Sequence, residues 1–354
     1  MMTNDRRPII FITTPLEAEH VAALRAVASD RAEVICEPDL WPPTRYVADH
    51  NGDPAFVRSA EAEARWRHHL SHAEILFDFP SPSPDGQGVK ALVPNVRWVP
   101  TTSSGVGQRV KALGFQDTDL LVTNARGVHA GPLSEFVFMA LLGYVKGFDH
   151  LRSEQRAHHW QLSCGDELAG KTLAVVGAGQ IGARVAAVGR AFAMRVVGSA
   201  RNASDGRASE LGLDALYPRD RLHEMLAEAD AVVLSTPHTP ETENLIDAAA
   251  IAAMKDGVVL VNIARGAVID EAAMIAALRS GKIAFAALDV FGIEPLPADS
   301  PLWDMPNVLV SPHSASTVYR EDARITEIFC HNLRCYLDGR LQDMRNVLDK
   351  KRLY

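Results

Sequence analysis

From Lys171 to Ser311 the chain alternates short Val/Leu-rich runs with helical stretches, and that rhythm leaves few architectures open to it. The runs Thr172 to Gly177, Arg195 to Ser199, Ala231 to Ser235, Val258 to Asn262, Ile283 to Val290 and Val308 to Ser311 read as strands. Helical stretches lie between them: one ending at Ala193, then Leu222 to Ala229, Asp247 to Met254 and Asp270 to Ser280. Apolar runs without the polar alternation of a half-exposed strand belong to strands covered on both faces. Strands joined through helices run parallel by crossover connections. The expected product is an α/β domain with a doubly wound parallel sheet.

The N-terminal part repeats the rhythm on a smaller scale. Pro8 to Thr13, Ala32 to Cys36, Glu74 to Phe79 and Val96 to Pro100 read as strands, and Glu17 to Ala28 and Glu61 to Leu70 as helices. A Pro-Ser run ends the third strand and Thr-Thr-Ser-Ser-Gly the fourth. Residues 37–60 are rich in Pro, Asp and Trp and keep no period; irregular segments of that length are usually functional or mobile. An apolar helix over Ser134 to Gly147 suits burial between domains or subunits. The helix Glu321 to Leu337 follows completion of the larger sheet and is expected to return to the first domain. Two domains are therefore expected: residues 123–316 as one, and 1–122 with 317–354 as a second, discontinuous one.

Bulk properties exclude several classes. At 354 residues the chain is comfortable for two domains, and its 47% apolar and 23% charged content is that of a soluble globular protein. A net charge of -8 draws it neither to nucleic acid nor to an anionic membrane. The longest strongly apolar run, Phe136 to Val145, is far short of a membrane span, and the N-terminus lacks the apolar core of a signal peptide. Cys36, Cys164, Cys330 and Cys335 are scattered and read as reduced thiols, so a cytoplasmic location is expected. The pairs His68-His69 and His158-His159 lack metal-ligand spacing and read as surface; no metal is expected.

The motif Gly177-x-Gly179-x-x-Gly182 follows a strand and opens a helix, which is the context a dinucleotide-binding turn requires. Its first glycine makes the tight turn, the second lets a pyrophosphate approach the backbone, and the third lets helix and strand pack closely. The anion then meets unpaired N–H groups at the helix N-terminus. NAD sites usually place Asp or Glu at the end of the next strand, for the ribose 2′-hydroxyl. Here that strand ends Gly198-Ser199-Ala200-Arg201, with no carboxylate. Ser199 and Arg201 suit a 2′-phosphate, so NADP(H) is the preferred cofactor, with NAD(H) as the lesser one.

Three downstream segments carry an arginine, a glutamate and a histidine: Asn262-Ile263-Ala264-Arg265-Gly266, Leu288-Asp289-Val290-Phe291-Gly292-Ile293-Glu294-Pro295 and Ser311-Pro312-His313-Ser314-Ala315. Arg265 offers a permanent planar charge with forked donors, suited to a carboxylate and an adjacent carbonyl oxygen. An imidazole whose ordinary pKa lies near the working pH makes His313 the proton donor, and Glu294 on its second nitrogen would favour the imidazolium. These are the parts needed to reduce a 2-keto acid beside a nicotinamide.

With these segments and Ser235-Thr236-Pro237-His238-Thr239-Pro240-Glu241-Thr242 in the same order, the chain resembles the D-isomer-specific 2-hydroxyacid dehydrogenase family, which includes glyoxylate/hydroxypyruvate reductases. The resemblance implies a Rossmann cofactor domain inserted in a flavodoxin-like substrate domain, and an NAD(P)-dependent oxidoreductase acting on a small 2-keto or 2-hydroxy acid. It implies Arg265, Glu294 and His313 as the catalytic set. For the cofactor it implies Gly177, Gly179, Gln180, Ile181, Gly182, Thr236, Pro237, Ile263, Ala264, Arg265, Asp289 and His313, with Asp289 at the nicotinamide carboxamide. Ser104, Gly105 and Val106, beside Arg265, would hold the substrate carboxylate. A homodimer through the cofactor domain is also implied, with the Ser134 to Gly147 helix as the candidate surface. One departure is Ser314-Ala315-Ser316-Thr317, where the family often carries Ile-Ala-Gly-Gly.

Two neighbours within the resemblance act differently. Formate dehydrogenases pair the histidine with glutamine, and Glu294 argues against that reading. The carboxy-terminal-binding corepressors retain the triad yet use the nucleotide to control assembly, so a nucleotide-sensing binding protein is the alternative function. A phosphoglycerate dehydrogenase with a regulatory domain is not expected, because the sequence ends soon after His313. The substrate side chain would depend on the first domain, where Trp41 to Tyr46, Trp98 and Arg126 to His129 are the candidate lining segments.

Overall fold

The computed structural model describes residues 7–81, 86–201 and 203–353; most of the Pro-Ser run expected to end the third strand lies outside them. The chain divides into two compact units, Met1–Val128 with Thr317–Tyr354, and His129–Ser316.

The first unit runs β1 (Ile9–Ile12), α1 (Ala18–Ala28), β2 (Glu33–Ile35), α2 (Ala60–His72), β3 (Ile75–Phe77), α3 (Val89–Leu92), β4 (Trp98–Pro100), α4 (Gly107–Ala112) and β5 (Leu121–Thr123). Its five strands are parallel in the order β2-β1-β3-β4-β5, the flavodoxin-like order. The first crossing between units falls after Val128 rather than after residue 122. The physical reason is β5, which pairs with β4 from Trp98↔Leu121 to Pro100↔Thr123 and completes the first sheet.

Residues 37–59 form a single 3₁₀ turn, Pro38–Leu40, and are otherwise irregular, and Ala60 begins α2. The segment is nevertheless anchored. The Trp41 indole N–H donates to the Ile12 carbonyl at 2.9 Å, and Asp49 accepts from Arg45 Nε at 2.8 Å and from the Gly52 N–H at 3.0 Å. Trp41 and Trp98 are buried in the core of this unit, with the Trp98 indole on Thr123 Oγ1, so both pack rather than line an open site. Tyr46 is exposed and stacks under the Arg45 guanidinium. Nor is His69 a surface residue: it packs against Phe11 and meets Glu37 at 2.9 Å.

The second unit contains α5 (Ala130–Val145), α6 (Phe148–Arg156), β6 (Thr172–Val176), α7 (Gln180–Ala191), β7 (Arg195–Ser199), α8 (Asp205–Glu210), β8 (Ala215–Tyr217), α9 (Leu222–Ala227), β9 (Ala231–Leu234), α10 (Ala248–Ala253), β10 (Val258–Asn262), α11 (Glu271–Ser280), β11 (Ile283–Leu288) and β12 (Val308–Val310). Seven parallel strands are ordered β12-β11-β10-β9-β6-β7-β8, which is the Rossmann order with one strand added. Every residue of β6, β9 and β10 is buried, as their unbroken apolar runs required. Asp247 and Asp270 cap α10 and α11 by accepting from the N–H groups of Ala250 and Ala273, each cap being worth about 1 kcal/mol. The last helix, α12 (Glu321–Leu337), belongs to the first unit, where Phe329 packs against Phe77 and Trp98.

Candidate active site

In the second unit the strand order reverses between β6 and β9, and in open parallel sheets ligands bind beyond the strand ends at such a switch point. Gly177 leaves β6 with φ +101°. A Cβ there would come within 2.7 Å of Thr236 Cγ2 and 2.8 Å of the Thr236 nitrogen, so the loops after β6 and β9 touch backbone to backbone. Ser235 Oγ ties them further by donating to the Gly177 carbonyl at 2.9 Å. A Cβ on Gly182 would lie 2.6 Å from the Gly177 carbonyl oxygen and 2.9 Å from Val175 Cγ1. The third glycine is thus what lets α7 start against the strand. Gly179 and Gln180 are exposed at the mouth of that helix, and Ile181 is half-buried. Thr236 Oγ1 is buried without a hydrogen-bond partner. Such an orphan beside a glycine cradle fits a ligand that brings its own polar atoms.

Ser199 lies at the end of β7, its side chain buried, and its carbonyl accepts from the N–H groups of Gly177 and Ala178. Arg201 is exposed just beyond it. The Glu241 carboxyl is held below its usual range by Thr239, with the charges of Arg201 and Arg219 adding to the effect. Arg219, not anticipated from the sequence, therefore shares this basic corner.

The three candidate catalytic loops leave neighbouring strands. Arg265 follows β10 in a turn shaped by the fully buried Asn262, whose Oδ1 accepts from Ala264 N–H at 3.0 Å and whose Nδ2 donates to the Arg265 carbonyl at 3.2 Å. Ile263 and Ala264 are buried beneath that turn. Burial pushes the Arg265 guanidinium down from its ordinary pKa, while the carboxylates of Glu294 and Asp289 pull it back up. Asp289, at the end of β11, is also buried. Its Oδ1 accepts from Ser311 Oγ at 2.6 Å, Ser314 N–H at 2.9 Å and Ala315 N–H at 3.0 Å. Burial raises its pKa against these hydrogen bonds and the nearby His313. Asp289 thus pins both ends of the histidine loop. Within it His313 has φ +53°, a left-handed conformation that non-glycine residues hold only when the surroundings impose it.

His313 Nδ1 meets Glu294 Oε2 at 2.7 Å. The other carboxylate oxygen, Oε1, accepts from Phe291 N–H at 3.0 Å, so Glu294 is oriented from both ends. Engagement of Nδ1 leaves Nε2 as the nitrogen that can serve a reactant. Arg265, Glu294, Asp289 and His313 all lie within electrostatic reach of one another through these pairs.

The expected carboxylate loop, Ser104, Gly105 and Val106, follows β4 in the first unit. The Gly105 N–H is already taken by Ser103 Oγ at 3.2 Å, and the Val106 side chain is in the core. Among the described residues no group of three or more His, Cys, Asp or Glu side chains is arranged to hold a metal ion. No described helix is long and apolar enough to cross a membrane.

Residues 138–315 match the model of the D-isomer specific 2-hydroxyacid dehydrogenase NAD-binding domain. The chain belongs to this family. It is accordingly an oxidoreductase of the class acting on the CH–OH group of 2-hydroxy acids. It is 34% identical over 247 residues to a glyoxylate reductase from Aeropyrum pernix, covering 65% of this chain and 72% of the relative. It is 39% identical over 338 residues to a D-3-phosphoglycerate dehydrogenase from Mycobacterium leprae, covering 94% of this chain but only 57% of that protein's length. Among solved structures, a D-isomer specific 2-hydroxyacid dehydrogenase from Xanthobacter autotrophicus Py2 in complex with NADPH and MES superposes with a TM-score of 0.75 at 28% identity, over 98% of this chain and 99% of that one.

Proposed function

We propose that this dehydrogenase is an NADP(H)-preferring reductase of small 2-keto acids, of the glyoxylate/hydroxypyruvate type. The observation that carries the reading is the 2.7 Å His313–Glu294 pair set beside a half-buried Arg265 in the unit that holds the glycine turn. Gly177, Gly179, Gln180, Ile181 and Gly182 would hold the pyrophosphate; Thr236 and Pro237 the ribose; Ile263, Ala264 and Asp289 the nicotinamide end. Ser199 and Arg201, with Arg219, would receive a 2′-phosphate. Bound there, the reduced cofactor supplies a hydride.

The chain's own residues do the rest. Arg265 binds the substrate carboxylate and polarises the adjacent carbonyl with its forked donors. Glu294 fixes the tautomer and ring plane of His313 through Nδ1, and Nε2 delivers the proton to the carbonyl oxygen. In the oxidative direction the neutral imidazole accepts it. Such acid–base assistance is worth roughly 10²–10⁴-fold.

The working form is a homodimer through the second unit. Met139 and Tyr144 on α5, Phe148 and Leu151 on α6, and Trp160 and Leu162 beyond them are exposed, the last two at 93% and 89%. Apolar side chains that exposed are typical of an interface missing its partner.

A spectrophotometric assay with NADPH or NADH against glyoxylate, hydroxypyruvate, pyruvate and phenylpyruvate tests the reading. Turnover with NADPH on one or more of the small acids is the expected result. Nucleotide binding without turnover on any of them would overturn it in favour of a nucleotide-sensing binding protein.

A further inference from the structure

The loops bearing Arg265 and Glu294 are in backbone contact. A Cβ on Gly266 would fall 1.9 Å from the Phe291 carbonyl carbon and 2.4 Å from the Gly292 nitrogen, so the Phe291–Gly292 peptide lies directly on Gly266. Contact fixes where that peptide sits but not how it is rotated. Two hydrogen bonds set the rotation. The Phe291 N–H donates to Glu294 Oε1 at 3.0 Å, and the Gly292 N–H donates to Glu271 Oε2 at 3.1 Å.

The two acceptors are not equivalent. Glu294 sits in the loop it orients, among exposed residues Gly292 and Ile293, and cannot anchor itself. Glu271 is the first residue of α11, a ten-residue helix capped by Asp270 and rooted in the core through Met274, Ala277 and Leu278. A carboxylate in the first helical turn is favoured by the helix dipole.

We infer that Glu271 is a positioning residue: through the Gly292 N–H it holds the loop that aims Glu294 at His313 Nδ1, and so sets the orientation of the proton donor. Among the described residues no hydrogen bond joins it to His313 or Arg265. Its kinetic consequence rests on the reductase reading above; its structural consequence does not.

The test compares Glu271→Ala, Glu271→Asp and Glu271→Gln in the full chain. Gln keeps the acceptor and its reach. Asp keeps the charge at the helix N-terminus but is one methylene too short. Three quantities are read: kcat and KM for the keto acid, the NADPH dissociation constant by fluorescence, and the downfield proton resonance of His313 Nδ1–H, assigned by its loss in His313→Gln. Expected are a kcat about tenfold lower in Ala and Asp, corresponding to about 1.4 kcal/mol, with NADPH binding unchanged and the resonance broadened or lost. Gln should return kcat to within about twofold and keep the resonance. Should Ala fail to fold, Asp carries the same comparison. Wild-type kcat and resonance in Asp, or equal losses in Asp and Gln, would overturn the inference. A resonance that follows the predicted pattern in a protein without turnover would sink the reductase reading and leave the positioning role standing.

Discussion

Replacing Asp322 with asparagine should make the first unit more stable at pH 8 and leave it nearly unchanged at pH 5. Asp322 lies in the first turn of α12 and faces His50 from the 37–60 segment, with Nε2–Oδ1 3.2 Å; Glu321 Oε1 is 3.8 Å from the same nitrogen. Glu17 at the start of α1 and Asp78 after β3 add negative charge, and Arg109 lies 3.7 Å from Asp78. Burial, reinforced by Glu17 and Glu321 and opposed by His50, pushes Asp322 up to about 7. Burial works against a charged His50, but Glu321, Asp322 and Asp78 outweigh it and raise its pKa. Both groups therefore bind protons more tightly folded than unfolded. The stability they contribute is present below their unfolded pKa values, about 3.9 for Asp and 6.5 for His, and is lost as pH rises through the folded ones. The slope is about 1.4 kcal/mol per pH unit per proton. Between pH 5 and 8 that amounts to on the order of 2–3 kcal/mol, since the pair shares its protons. Carboxylates held low, such as Asp49 beside Arg45, give the opposite slope only under more acidic conditions. At about 2–4 °C per kcal/mol for a unit of this size, the variant should melt roughly 4–12 °C above wild type at pH 8. Tryptophan emission is the assay. Trp41, Trp66 and Trp98 are buried in the first unit, whereas Trp160 and Trp303 are exposed in the second, so loss of the blue-shifted component reports the first unit's unfolding. A wild-type midpoint that is flat or rising from pH 5 to 8, or a variant with the same pH dependence as wild type, would refute the reasoning.

Arg201→Ala should raise KM for NADPH by about tenfold or more, because a charge-assisted contact to phosphate is removed, while leaving KM for NADH within about twofold; steady-state kinetics with both cofactors checks this. His313→Gln should lower kcat by roughly 10²–10⁴-fold with the NADPH dissociation constant unchanged, read by turnover and fluorescence titration. Trp160→Ala combined with Leu162→Ala should move the protein from dimer to monomer in multi-angle light scattering; a dimer that persists at micromolar concentration would exclude this surface.

Several elements were read to the residue. The bounds of β7 and β10 coincide with the Val/Leu-rich runs that announced them, buried at every position but Arg195, and those of α12 with a helical stretch that buries one face and exposes Ala323, Glu327 and Arg334. The strands passed over, β5 and β8, are three residues each and lie at sheet edges; β8 is only half-buried throughout. In so short a run the local signal is slight, and pairing with β4 or β7 decides the conformation. The short helices α3 and α4 escaped notice for the same reason, and α6 because its sequence is polar with no buried face.

The candidate site divides along a similar line. Arg265, Glu294 and His313 could be named as candidates before any coordinates because each lies in a loop that follows a Val/Leu-rich strand of the larger sheet, where open parallel sheets bind ligands. Their supports could not. Asn262, Glu271, Ser311 and Ser235 are ordinary polar residues in sequence, and their partners lie in other loops. What the sequence determined alone was the parallel α/β class and the glycine turn, and it supplied the candidate chemical groups, since periodicity and residue type are local properties. Only the tertiary structure decided where the units divide, that Trp41 packs inward, and that Asp289 and Glu271 hold the loops on which His313 and Glu294 stand. Hydrogen bonds between loops depend on distance in space, and strand pairing sets that distance.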